Sequence, residues 1–96
     1  MKVEIYGYAP EFYTCAPCIN AKRMCELKKD KFGIDLSFYS VAKGRTESGK
    51  PILDTKVTEE LCKRLQRSTV MGMTMPQIFI DNVSIGGFDK LREHLK

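Results

Sequence analysis

Two cysteines two residues apart, Cys15-Ala16-Pro17-Cys18, stand at the point where an alternating segment has ended and a helical pattern begins. No other feature constrains the fold as tightly. The two sulfurs come within bonding reach if the chain turns into a helix between them. Ahead of the pair, Lys2 to Tyr8 sets Val3, Ile5 and Gly7 against Lys2, Glu4 and Tyr6, a period of two that predicts a strand. Behind it, Pro17 takes a first-turn position, and Cys18, Ala21, Met24, Cys25 and Leu27 recur at helical spacing up to Lys28 and Lys29. Strand, loop over residues 9–14, helix: the cysteines fall at the helix N-terminus.

The rest of the chain continues in the same style. Asp30 to Asp35, with Gly33, reads as a turn, and Leu36 to Val41 as a second strand. The stretch AKGRTESGKPILDTK is polar, with two glycines and a proline, and reads as a long surface loop within residues 42–57. Thr58, followed by Glu59 and Glu60, suits an N-cap and acidic first turn for a helix burying Leu61, Cys62 and Leu65. RSTVMGMTMP connects it to a hairpin, Gln77 to Asp81 and Val83 to Ile85 about Asp81-Asn82, and Phe88 to Lys96 forms a last helix with Leu91 and Leu95 inward. The order β-α-β-α-β-β-α predicts an α/β domain in which one mixed four-stranded sheet is flanked by helices. The first strand–helix–strand unit supplies a parallel pair and the hairpin an antiparallel one.

At 96 residues the chain has room for a single domain, residues 1–96, so scaffold and function share one core. A net charge of +4 is spread along the chain without a dense basic stripe, which favours solvated helix faces over a nucleic-acid surface. No apolar run approaches the roughly 20 residues needed to cross a bilayer, and MKVEIYGY lacks the pattern of an export signal. A cytoplasmic location is the expectation. In that compartment a close cysteine pair is more often redox-active or metal-binding than a structural staple.

The chemistry of the pair follows from its placement. Unpaired N–H groups and the dipole at a helix start favour an anion, so Cys15 should ionise well below the free-thiol value of about 8.5 and act as nucleophile. Cys18 falls on the deeper face with Ala21 and Cys25 and is the resolving thiol. A zinc site of Cys15, Cys18, Cys25 and Cys62 is the rival. Structural zinc ligands usually come as two close pairs, whereas Cys25 lies along the helix and Cys62 stands alone among leucines; both read as small buried hydrophobes. Lys22 reads as solvated surface.

Two further motifs matter. Pro76 precedes a strand in TMPQIFI; a cis bond from Met75 would free the backbone of Met75 for a neighbour, and a trans turn is the generic expectation. In IGGFDKL, Gly86-Gly87 permits a tight turn into a helix. Its N–H groups suit a carboxylate, although a turn capped by Asp89 is the plainer reading.

CxxC at a helix start, T-x-P before a strand and GGxxxL after a hairpin, in this order, resemble the glutaredoxin family across essentially the whole chain. YGY, NAKR, TMPQ and GGFDKLRE look especially like its T-even bacteriophage members. The resemblance implies a thioredoxin fold, with Pro76 as a cis-proline opposite the cysteines. It implies that the backbone of Met75 pairs with the cysteinyl part of glutathione and that Gly87, Phe88 and Asp89 hold its γ-glutamyl end; Tyr13 and Thr14, next to the catalytic Cys15 and Cys18, are further substrate-binding candidates. Glutathione would be electron donor and co-substrate, with no bound cofactor or metal. The implied partners are disulfide-containing proteins such as ribonucleotide reductase. The resemblance also implies a monomer working in the cytoplasm of the host bacterium if phage-encoded.

Departures from the family pattern keep alternatives open. Ala16-Pro17 replaces the Pro-Tyr of many glutaredoxins, which puts the expected potential between the roughly −200 to −230 mV of glutaredoxins and the about −270 mV of thioredoxin. Phe12 stands near the place of a lysine that meets the glycyl carboxylate of glutathione, leaving Lys63 and Arg67 as candidates. Thr14 replaces the tryptophan of thioredoxins. Phe12, Tyr13 and Ile19 flank the cysteines as a candidate docking collar. The rival readings are a protein recycled by thioredoxin reductase, an iron–sulfur-bridging dimer, against which Cys18 argues, and a non-catalytic adaptor.

Overall fold

The computed structural model describes all 96 residues. Its elements are β1 (Lys2–Gly7), α1 (Ala16–Leu27), α2 (Lys29–Phe32), β2 (Asp35–Ser40), β3 (Ala42–Arg45), β4 (Pro51–Leu53), α3 (Thr55–Leu65), β5 (Gln77–Ile80), β6 (Val83–Gly86) and α4 (Phe88–His94). The main sheet runs β2-β1-β5-β6, with β1 parallel to β2 and antiparallel to β5, and β5 antiparallel to β6. This is the mixed four-stranded sheet read from the sequence. Asp81 and Asn82 both adopt positive φ, 48° and 69°, as a two-residue hairpin turn requires.

Because β1 is central and covered on both faces, its alternation separates two cores rather than core from solvent. Val3 and Ile5 pack with Ala21 and Cys25 of α1, Ile34, Ile78, and Leu91 and Leu95 at the α4 end. Tyr6 packs with Val41, Leu61 of α3 and Phe79 on the opposite face. Glu4 shares the Tyr6 face and is buried at 5% exposure, which its partner Arg64 makes tolerable.

Three stretches differ from expectation. Residues 42–57 are not a long loop: β3 and β4 pair antiparallel, and the polar tip closes through Thr46 and Lys50, with the Thr46 N–H on the Lys50 carbonyl at 2.8 Å. Here α3 starts at Thr55, not after Thr58. The Asp54 carboxylate caps it by accepting from the N–H groups of Lys56 (3.1 Å) and Val57 (3.3 Å), while the Thr58 hydroxyl bonds back to the carbonyls of Asp54 and Thr55. The turn after α1 contains the single helical turn α2, ended by Gly33 at φ 61°. Two burial expectations also change. Leu27 is 78% exposed, since two residues past buried Cys25 it lies on the opposite side of α1, and Cys62 is only half-buried on α3.

Candidate active site

Cys15 is the N-cap of α1, in extended conformation, and its sulfur accepts a hydrogen bond from the Cys18 N–H at 3.4 Å. An orphan amide of the first turn is thus aimed at the atom proposed as nucleophile. Pro17 fits this turn because its missing N–H falls among those that a helix start leaves unbonded. Cys15 and Cys18 are joined as a disulfide, with Cα atoms 5.3 Å apart. Cys15 retains 8% exposure and Cys18 none.

The loop entering the site is held from three directions. Phe12 and Tyr13 N–H groups both donate to the Ala9 carbonyl, at 3.0 and 3.1 Å. The Ala9 N–H donates to the Ser40 hydroxyl at 3.3 Å, which in turn donates to the Ala42 carbonyl at 2.6 Å. Arg45, from the hairpin that the sequence hid, donates to the Glu11 carbonyl at 2.6 Å. Tyr13 is 45% exposed with its ring 4.8 Å from that of Tyr8, and Thr14 is exposed beside it.

Met75 and Pro76 lie just before β5, and the bond between them is cis. Outside the helices and strands, backbone hydrogen bonding leaves the N–H and C=O of Met75 unused. Pro17, Thr74, Met75, Pro76, Gly87, Phe88 and Asp89 line one groove of about 380 Å³, completed by Lys90. Five of the seven expected substrate-binding residues therefore share a wall with the CxxC segment. Tyr13 and Thr14 are not in that wall and sit on the loop before Cys15. Gly87 is the N-cap of α4 and no side chain caps the helix; Asp89 is in the first turn, exposed, and does not act as the cap.

The other residues considered fall elsewhere. Ile19 and Lys22 line a different groove of about 230 Å³ with Tyr8, Cys18 and Phe38, and the Lys22 ammonium lies 5.6 Å from the Phe38 ring centre. Lys63 and Arg67 line a third groove with Cys62. Cys25 is buried in the core, and burial pushes its thiol up to about 11, with a smaller contribution from Glu26. No three His, Cys, Asp or Glu side chains are grouped so as to hold a metal ion. Sequence reasoning missed Arg45, and the buried Glu4–Arg64 pair. Glu4 carried a signal, a charge inside a strand flanked directly by Val3 and Ile5. Arg45 carried none.

A disulfide-forming pair on the first turn of a helix, beside a cis-proline and above a mixed four-stranded sheet, defines a thioredoxin-fold thiol–disulfide oxidoreductase. No family model matches the chain. It is 38% identical over 94 residues to the glutaredoxin of Enterobacteria phage T4, a match spanning 97% of this chain and 98% of that protein. Among solved structures it is similar to glutaredoxin 1 of Francisella tularensis, at 26% identity and a TM-score of 0.57 over 97% of this chain and 90% of that one. Reduced Escherichia coli glutaredoxin shares the fold at 21% identity and a TM-score of 0.65, over 98% and 92% of the two chains. The chain belongs to the glutaredoxin family.

Proposed function

We propose that this glutaredoxin is a glutathione-linked dithiol reductase of protein disulfides. The Cys15 thiolate attacks one sulfur of a substrate disulfide, forming a mixed disulfide and releasing one substrate thiol. Cys18 then attacks the Cys15 sulfur, closing the Cys15–Cys18 bond and releasing the second thiol. Two glutathione molecules restore the dithiol: one opens the disulfide at Cys15, and the other removes the first as glutathione disulfide.

The observation that carries this reading is the difference in access. Cys15 retains 8% exposure against 0% for Cys18, so the first cysteine is the more accessible of the two. An incoming sulfur reaches the first cysteine, and the second acts from within. The groove that Pro17 of the CxxC segment shares with Thr74, Met75, Pro76, Gly87, Phe88 and Asp89 is the site proposed for glutathione. The unused N–H and C=O of Met75 would pair with its cysteinyl backbone, and the uncapped turn at Gly87 would face its γ-glutamyl carboxylate. Tyr13 and Thr14 would contact substrate from the loop side. The proposed setting is a monomer in the cytoplasm, with ribonucleotide reductase among its protein substrates. No helix is long and apolar enough to cross a membrane.

Turnover of a protein disulfide coupled to glutathione and glutathione reductase, compared with turnover coupled to thioredoxin reductase, tests the electron source. Faster turnover in the glutathione arm is expected. Turnover with thioredoxin reductase alone would overturn the glutathione link and leave the dithiol chemistry standing.

A further inference from the structure

Gly7 ends β1 on the face that α1 covers, and it is buried. Its φ is outside the left-handed range, so neither a turn nor backbone strain calls for glycine there. Gly33, Gly49 and Gly72 show the opposite case, left-handed φ with open space where a side chain would begin. At Gly7 the space is filled: a Cβ would lie 2.9 Å from the Cys18 sulfur, 3.2 Å from the Cys18 Cβ and 3.5 Å from Cζ of Phe38. Carbon contacts are optimal at about 3.5–4.0 Å, so the first two distances are overlaps. Glycine stands in this strand for close approach.

We propose that Gly7 is a positioning residue for the redox pair: by omitting a side chain it opens the berth that the Cys18 sulfur occupies when bonded to Cys15, and so favours the disulfide over the dithiol. In the disulfide, the Cys18 sulfur is tied to Cys15 and cannot swing away from the strand, and Phe38 closes the space on the strand side. In the dithiol, a rotamer change moves the Cys18 sulfur off the added methyl, and only the contact with the Cys18 Cβ remains in both states. A methyl group at position 7 therefore burdens the oxidised form more than the reduced one. Propensity works the other way, since alanine in a strand interior is no worse than glycine. The inference rests on the dithiol chemistry of the family and is independent of glutathione as donor.

The test equilibrates Gly7→Ala with graded mixtures of reduced and oxidised dithiothreitol. One protein disulfide forms as one dithiothreitol disulfide is reduced, so two electrons and two protons pass between them. The expected result is an equilibrium about tenfold less favourable to the protein disulfide, which is about 30 mV by the two-electron conversion. A parallel comparison places Gly7→Ala in a Cys18→Ala background, where the sulfur is absent. The fall in Tm there should be much smaller than in the oxidised parent. An unchanged dithiothreitol equilibrium, or equal Tm losses in both backgrounds, would overturn the proposal. If Gly7→Ala alone does not fold, a folded double variant supports the berth, and failure of both variants refutes it.

Discussion

Arg64 reaches from the last turn of α3 to Glu4 on β1 and meets its carboxylate through two hydrogen bonds, of 2.9 and 3.0 Å. The same guanidinium donates to the Tyr6 hydroxyl at 3.0 Å and lies 3.9 Å over the Phe79 ring. The Glu4 side chain is only 7% exposed, and Lys2, 3.9 Å away, is the other cation near it. One fork thus ties α3 to the central strand, on the face opposite the cysteines.

Removing half of a buried pair strands the other charge. Arg64→Met should lower the unfolding free energy by about 3 kcal/mol, read from urea titration. A loss below about 1 kcal/mol would mean that water or Lys2 replaces the guanidinium.

Hydrogen bonds from Arg64 outweigh burial and hold the Glu4 carboxyl below its ordinary 4.5. The folded state therefore takes up this proton at lower pH than the unfolded chain. The contribution of Glu4 is complete above the unfolded value and is lost as pH falls through the depressed folded value. Acid titration of stability should show a smaller decline in Glu4→Gln than in the parent below pH 4.5. Equal declines would contradict the pairing.

At the start of α3, Asp54→Ala should cost about 1 kcal/mol by loss of the cap, and Asp54→Asn should recover most of it. Thermal unfolding of the three proteins checks the order. An Asp54→Ala protein as stable as the parent would place the helix start elsewhere.

The two cysteines should separate by reaction. Cys15→Ser is expected to abolish every thiol transfer, while Cys18→Ser should lose reduction of protein disulfides and keep removal of glutathione from a mixed disulfide. Assays of both substrates on both variants check this. Full reductase activity in Cys15→Ser would contradict the assignment of roles.

Much of this architecture was legible because the strongest signals are local. Alternation in Lys2 to Tyr8, the helix opened by Pro17 and the Asp81-Asn82 turn each specify an element from a few residues. The elements that were misread depend on contacts the sequence does not display. The β3–β4 hairpin is short with a polar tip, and it closes through Thr46 and Lys50 and is anchored by the Asp54 N–H on the Val41 carbonyl at 2.8 Å. Asp54 and Thr58 are both good caps at four-residue spacing, and only the preceding strand decides between them. At the site, Cys15, Cys18 and Pro76 could be placed from motifs. The space beneath Cys18 could not, since a glycine at an ordinary strand position does not reveal what leans against it.

In the proposed chemistry the start of α1 stabilises a sulfur anion at position 15. Its most direct test is the pH dependence of alkylation of reduced Cys15, followed by peptide mass analysis at each pH. The rate should reach half its plateau well below the about 8.5 of a free thiol, with Cys25 unmodified in the folded protein. A midpoint for Cys15 at or above that of an unstructured cysteine peptide would contradict it.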